Sequence, residues 1–273
     1  MEEVCCMKKS ELREVTCPRC GGIVRPRYRF CSNCGAKLKP GDALQIETGK
    51  RQSTRATNPP WKTTQSLSIL LLSITLPMII SILPFTLSIR MREILTEVLI
   101  ATPPLLYVVS KGLGTESLGL DSRSAMTEFA VALIVLPLAL PLGLISGWLV
   151  QTIYPMSPWW QAYFTTSVPT SFEDFIVLLL IRSLAVAPCE EILFRGFVQN
   201  GLESGIGGTQ GWILSSVLFG MIHFNPWQGV PAFLVGLLLG YLFRRRDHRL
   251  WCPIALHAFY DCGLTILSYA FHF

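Results

Sequence analysis

Two adjacent glutamates stand in one of the most apolar stretches of this chain. The sequence APCEEILFRGF (residues 187–197) places Glu190, Glu191 and Arg195 directly after the apolar run FIVLLLIRSLAV. A charged side chain near the centre of a bilayer costs about 3 kcal/mol or more, so these groups need partners or a wet cavity. On a helix, Glu191 and Arg195 are four residues apart and can pair along one face. Glu190 is then left free to face a pocket.

Three further ionisable residues lie in later apolar segments at a similar depth. At 1.5 Å per helical residue, Glu190 lies roughly 20 Å from its helix end near residue 203, and His223 about 21 Å from the next helix start. His257 and Asp261 lie about 10 and 16 Å into the last helix. The sequence therefore predicts one polar pocket shared by three helices. The alternative is a structural polar network that ties the helices together.

The elements that must position these groups are apolar segments that cross a membrane. Several segments after residue 65 approach the ~20 residues that span a bilayer. They cover approximately residues 66–89, 93–110, 125–151, 172–203, 209–224, 227–243 and 250–271. The stretch YPMSPWWQAYF, rich in interfacial aromatic residues, offers an eighth helix. We expect an all-α polytopic membrane protein with seven or eight transmembrane helices, preceded by a small zinc-ribbon domain.

Charge separates a basic head from a nearly neutral body. Residues 1–65 hold 13 of the 23 Lys and Arg residues and 6 of the 18 Asp and Glu residues. Only 15% of the chain is charged and 51% is hydrophobic, whereas soluble domains carry about 25% charged residues. This composition excludes an ordinary soluble enzyme. The basic head favours anionic membrane lipid, and we expect no nucleic acid partner.

Four of the nine cysteines form a doubled CxxC pattern near the amino terminus. Cys17, Cys20, Cys31 and Cys34 are each part of a pair followed by glycine. Such pairs place two thiolates beside a tight turn, as tetrahedral zinc requires. The pattern resembles short zinc-ribbon modules, and it predicts a structural zinc ion. Paired disulfides or free thiols are the alternative.

Domain boundaries and membrane orientation follow from polarity. We expect a cytoplasmic zinc ribbon at residues 1–40, a linker at 41–65 and a membrane domain at 66–273. The polar first 60 residues contain no signal-peptide core, which favours a cytoplasmic amino terminus. The basic loop at residues 244–249 falls on the same side. The depth of the ionisable layer suggests an active site that opens toward the cytoplasm.

Three motifs in order resemble those of the CPBP family, the CAAX-protease and bacteriocin-processing membrane proteins. The resemblance covers roughly residues 125–273. Its motifs are EExxxR, FxxxH and HxxxN/D, represented here by Glu190, Glu191 and Arg195, by Phe219 and His223, and by His257 and Asp261.

The family includes intramembrane glutamic endopeptidases that trim prenylated proteins. The resemblance implies that Glu190 activates water with His223 as its partner, and that His257 and Asp261 form the oxyanion side. Glu191 and Arg195 would hold the geometry, with no cofactor in the catalytic site. The substrate would be a lipidated or membrane-embedded peptide, and the ribbon offers a surface for a protein partner.

One position departs from the prenyl-protease pattern, which usually has Asn where this chain has Asp261. An ionised aspartate cannot donate a hydrogen bond to an oxyanion. Asp261 is therefore either protonated or orients His257.

Three other functions are compatible with these residues. Glu190, His223, His257 and Asp261 are a possible zinc ligand set for a metalloprotease, although no HExxH motif is present. A non-catalytic scaffold or immunity-type protein would use its ribbon to recruit a partner. A cysteine protease based on Cys189 is disfavoured, because two neighbouring carboxylates oppose a thiolate.

Overall fold

The computed structural model describes residues 59–82, 87–121 and 125–271, together with three short strands nearer the amino terminus. The chain divides into two units, Met1–Thr54 and Arg55–Phe273. The first unit contains β1 (Val15–Thr16), β2 (Ile23–Val24) and β3 (Leu44–Gln45). They form an antiparallel sheet in the order β2-β1-β3, with Val15 opposite Val24 and Gln45. The four cysteines of the predicted zinc site lie outside the described residues.

The second unit is a bundle of helices joined by short connections. One helical segment is continuous but contains two π-helical stretches, at Arg182–Val186 (π1) and Ile192–Gln199 (π2). The α-helices are α1 (Thr63–Ile82), α2 (Ile89–Ser110), α3 (Ala125–Ile153), α4 (Pro158–Thr165), α5 (Phe172–Ile181), α6 (Ala187–Glu191), α7 (Asn200–Ile206), α8 (Gly208–Met221), α9 (Pro226–Arg245) and α10 (Trp251–Phe271). We call the run from α5 through π1, α6 and π2 to α7 the segmented helix.

Contacts between connections define one end of the bundle, which we call the arginine face (residues 61–63, 110–121, 125–128, 199–210 and 244–251). Thr63 Oγ1 donates to the carbonyl of Gly201 at 3.0 Å, so the start of α1 lies beside the end of the segmented helix. Two further contacts join the α9–α10 connection to this end. Arg246 binds both carboxylate oxygens of Glu128 at 2.7 and 2.8 Å, and His248 contacts Glu203 at 3.0 Å.

The opposite end is rich in aromatic side chains, and we call it the tryptophan face (residues 87–93, 153–174, 221–228 and 268–271). Arg90 at the start of α2 binds both oxygens of Asp174 at the start of α5, at 2.9 and 2.8 Å. Trp227 at the start of α9 donates to the carbonyl of Tyr154 at 2.8 Å and packs against Trp160. Indole and phenol groups suit a membrane interface, because they are apolar at one end and polar at the other.

The described helices pass between these two faces seven times, with α4 lying at the tryptophan face between two passes. Within the described part of the chain, four helices are long and apolar enough to cross a membrane, namely α2, α3, α9 and α10, and Thr63–Ile79 is a shorter apolar helix. Large apolar side chains on α3 remain exposed, including Met126 at 83% and Ile134 at 77%. This surface is suited to lipid contact, and the protein is an all-α polytopic membrane protein.

Candidate active site

The segmented helix positions the two central glutamates. The α-helical turn α6 carries Glu190 and Glu191 and lies between π1 and π2. Pro188 lies two residues after the end of π1, and proline lacks the N–H that a regular helix would use. A π-turn widens the helix by one residue and is often found at functional sites. Both glutamates are buried, with exposures of 8% and 0%.

Glu191 is the centre of a buried polar cluster behind the pocket. Its Oε1 accepts from Arg195 Nη1 at 2.9 Å, along the i, i+4 face that the sequence predicts. The same oxygen contacts His257 Nδ1 at 2.9 Å. Arg195 also donates to the carbonyl of Gly236 at 3.2 Å and lies 4.2 Å from the ring centre of Phe219. The cluster joins the segmented helix to α8, α9 and α10.

His257 connects this cluster with the pocket. A carboxylate only accepts hydrogen bonds, so Nδ1 must donate to Glu191. Its other nitrogen, Nε2, lies 3.7 Å from an oxygen of Glu190 and 3.7 Å from an oxygen of Asp261. The imidazole ring therefore has one fixed nitrogen and one nitrogen that faces two carboxylates.

The turn after α8 positions His223. Its Nδ1 donates to the Phe219 carbonyl at 3.1 Å, which leaves Nε2 for the pocket. Asn225 holds the turn, since its amide donates to the His223 carbonyl at 2.7 Å and its oxygen caps α9 through the N–H of Gln228 at 2.9 Å. Phe224 between them has a φ of +54°, an uncommon conformation for a bulky residue.

A cavity of about 410 Å³ brings the predicted pocket residues together. Glu190, His223, His257 and Asp261 all line it, and so does Phe219. Glu191 and Arg195 are not among the lining residues; they are almost completely buried behind the wall. The four residues that the sequence assigns to the pocket thus line one cavity, and so does Phe219, while the catalytic roles assigned to them stay a prediction.

Charged residues on α2 contribute to the site in a way that sequence reasoning missed. Arg182, which belongs to π1, lines the cavity and pairs with Glu93 at 3.1 Å. Glu97 is 7% exposed and lies within electrostatic range of Glu190 and Arg182. Its Oε2 has no hydrogen-bond partner among the described residues. The available signal was the spacing of Glu93 and Glu97, four residues apart on an apolar helix.

Two observations concern the residues of the metal-dependent and cysteine-dependent alternatives. Among the described residues, no group of three or more His, Cys, Asp or Glu side chains is arranged to hold a metal ion. Cys189 is a free, half-buried cysteine that does not line the described cavity.

Two family models match this chain. Residues 172–263 match the type II CAAX prenyl endopeptidase Rce1-like model, and residues 13–38 match a zinc-ribbon domain. The Rce1-like match begins at α5 and ends within α10, so it contains every residue of the three motifs. The zinc-ribbon match contains all four cysteines of the CxxC pairs. Searches of curated proteins and of solved structures returned no match.

The match to the Rce1-like model supports an intramembrane endopeptidase of the CAAX-protease type, and the long apolar helices support its place in a membrane. The amino-terminal ribbon match indicates zinc binding in the first unit.

Proposed function

We propose that this protein is a glutamate-dependent intramembrane endopeptidase that cleaves lipidated or other membrane-embedded peptides near their carboxyl ends. The observation that carries the proposal is the convergence of Glu190, His223, His257 and Asp261 on one cavity inside the helical bundle. A cavity of this size has room for an extended peptide segment and a water molecule.

In the proposed reaction, Glu190 takes a proton from a water molecule that His223 Nε2 helps to orient. The resulting hydroxide adds to the carbonyl carbon of the scissile peptide bond, and the carbonyl oxygen becomes an oxyanion. When the tetrahedral intermediate collapses, the C–N bond breaks and the proton held by Glu190 passes to the leaving nitrogen. A positioned general base of this kind contributes typically 10²–10⁴-fold to a rate.

His257 and Asp261 form the oxyanion side of the proposed site. Since Nδ1 of His257 already donates to Glu191, donation from Nε2 to the oxyanion requires a ring that carries both protons. Asp261 lies 3.7 Å from the same Nε2. We assign Asp261 to orient this nitrogen, as a supporting carboxylate does, rather than to donate a hydrogen bond itself. Glu191 and Arg195 then act as positioning residues.

The proposal also includes a zinc site in the amino-terminal ribbon and an orientation of the protein in the membrane. Cys17, Cys20, Cys31 and Cys34 are the proposed ligands of one structural zinc ion, in which four thiolates close the coordination shell. The ribbon is the proposed docking surface for a protein partner. We place the amino terminus in the cytoplasm together with the arginine face, following the bias of basic residues toward that side.

The proposal is tested by cleavage of a quenched farnesylated CAAX peptide in proteoliposomes. Glu190→Gln keeps the shape of the side chain and removes the base, so we expect cleavage to fall by about 10²-fold or more. Glu173→Gln is the matched control, because Glu173 is an exposed carboxylate on the same segmented helix. Equal cleavage by the wild type and Glu190→Gln would exclude Glu190 as the base. No cleavage by any of the proteins would favour a different peptide substrate or the scaffold function.

A further inference from the structure

The candidate cavity occupies only one half of the bundle. Its lining residues on α3 are Gly143 to Gly147, in the second half of that helix, and those on α10 extend from His257 to Ser268. On α9, which runs the other way, they extend from Trp227 to Val235 in the first half. Ser167, in the connection between α4 and α5, also contributes. All these segments lie toward the tryptophan face.

A layer of buried side chains closes the other half. Leu239, Phe243, Cys252 and Leu256 have exposures of 0% and lie on α9 and α10 between the cavity and the arginine face. On the segmented helix the same level is filled by completely buried side chains, namely Leu193, Phe194, Phe197 and Val198. Closely packed interiors leave few voids larger than a water molecule. The cavity therefore has no polar route to the arginine face through these residues.

Basic residues mark the arginine face as the cytoplasmic one. Its connections and helix ends carry Lys62, Lys111, Arg244, Arg245, Arg246 and Arg249. The tryptophan face carries Arg90 and Arg92, and Arg90 is paired with Asp174. Lys and Arg near the ends of spans accumulate on the cytoplasmic side, and Asp and Glu contribute little to this bias. The count of six basic residues against two decides the orientation.

The sequence predicts both a cytoplasmic amino terminus and an active site that opens toward the cytoplasm. In this bundle the start of α1 and the cavity lie toward opposite faces, so the two expectations conflict. Thr63 at the start of α1 contacts Gly201 at the arginine face, whereas the cavity extends toward the tryptophan face. The depth estimate placed the ionisable groups near mid-membrane, but it did not include the packed layer that closes one side.

We propose that the candidate active site opens to the extracytoplasmic side of the membrane. Its substrate class is then a polypeptide segment that is crossing or has crossed the membrane and presents its scissile bond to the tryptophan face. A lipidated tail that remains in the cytoplasm does not reach the site. The proposed substrate class rests on the proposed function, whereas the proposed side on which the cavity opens does not.

Cysteine accessibility tests the side on which the cavity opens. Ser268 lines the cavity, and Ser204 is exposed at the arginine face. The two serines are closely matched, because each hydroxyl donates only to the carbonyl three residues earlier, at 2.9 and 3.0 Å. Full-length Ser268→Cys and Ser204→Cys variants are treated with a membrane-impermeant maleimide in intact spheroplasts and again after permeabilisation. Peptide mapping separates the introduced cysteines from the native ones.

We expect position 268 to react in intact spheroplasts and position 204 to react only after permeabilisation. Reaction of position 204 from outside, or of position 268 only after permeabilisation, would overturn the proposal. Gln228→Cys provides a second position that lines the cavity if Ser268→Cys does not fold. Labelling needs no catalysis, so this result is independent of whether Glu190 is the base.

The substrate class is tested with sealed vesicles of known orientation. A peptide that carries a charged, impermeant fluorophore is added outside right-side-out and inside-out vesicles, with Glu190→Gln as the blank. We expect Glu190-dependent cleavage in the right-side-out vesicles. Cleavage confined to inside-out vesicles would overturn extracytoplasmic access while leaving the proposed chemistry intact. Equal cleavage with the wild type and the blank would overturn the substrate statement and the proposed base, and leave the labelling result unaffected.

Discussion

Glu191 and His257 are 66 residues apart in the chain, yet Oε1 of Glu191 lies 2.9 Å from Nδ1 of His257. The same oxygen accepts from Arg195, and none of the three residues is more than 5% exposed. The contact fixes the imidazole so that its other nitrogen points toward Glu190 and Asp261. Glu191, which does not line the cavity, thus sets the orientation of His257, which does.

Glu191→Gln is expected to destabilise the fold as well as reduce activity. The amide removes the charge that compensates Arg195, and breaking a buried ion pair by changing one partner costs roughly 3–5 kcal/mol. Thermal unfolding in detergent measures this loss. Glu190→Gln is the comparison, because Glu190 faces the cavity and makes its closest described ion-pair contact at 3.7 Å. Equal melting temperatures for wild type and Glu191→Gln would contradict the support role.

Glu97→Gln, unlike Glu191→Gln, is expected not to lower the thermal stability. Glu97 is at least as buried as Glu190, and its Oε2 has no hydrogen-bond partner among the described residues. Burying an uncompensated charge is costly, and an amide of the same shape avoids that cost. We predict an unchanged or higher melting temperature, measured by the same detergent unfolding assay. A drop comparable to that of Glu191→Gln would show that the carboxylate holds Arg182 or another partner in place.

Gly236→Ala tests the close approach of α9 to the polar cluster. A Cβ at this position would lie 3.0 Å from Phe219 Cδ1 and 3.2 Å from Arg195 Nη2. Overpacking of a filled interior costs typically 1–3 kcal/mol, so we expect a lower melting temperature together with slower cleavage. Gly147→Ala is the matched control, since its Cβ would meet only Pro231 at an ordinary 3.6 Å. Similar melting temperatures for both variants would argue against a tight fit at Gly236.

Removal of zinc from the ribbon is expected to leave peptide cleavage intact. Replacing Cys17 and Cys20 by serine should abolish stoichiometric zinc binding, measured by elemental analysis of the purified full-length protein. Because the proposed active site uses Glu190 and His223 rather than a metal, peptide cleavage by this variant should persist in the presence of a tight chelator. Chelator-sensitive cleavage by the zinc-free ribbon variant would instead favour the zinc metalloprotease.

The sequence by itself determined the class of fold, and it predicted which ionisable side chains share one pocket. Charged residues in apolar segments are so costly that their presence predicts a shared pocket, and the i, i+4 spacing of Glu191 and Arg195 predicts their pairing. Helix rise was enough to place Glu190 and His223 at a common depth. The doubled CxxC pattern likewise indicated a ribbon before any comparison was made.

Only the tertiary structure decided toward which face of the bundle the cavity extends and which groups on α2 lie near it. Periodicity and rise fix how far a residue lies along its own helix, but not which neighbouring helix fills the space above or below it. The packed layer around Leu239 and Leu256, and the salt bridge between Glu93 and Arg182, depend on contacts between segments distant in the chain. Such contacts follow from how the helices pack together, which the spacing of residues within one helix does not specify.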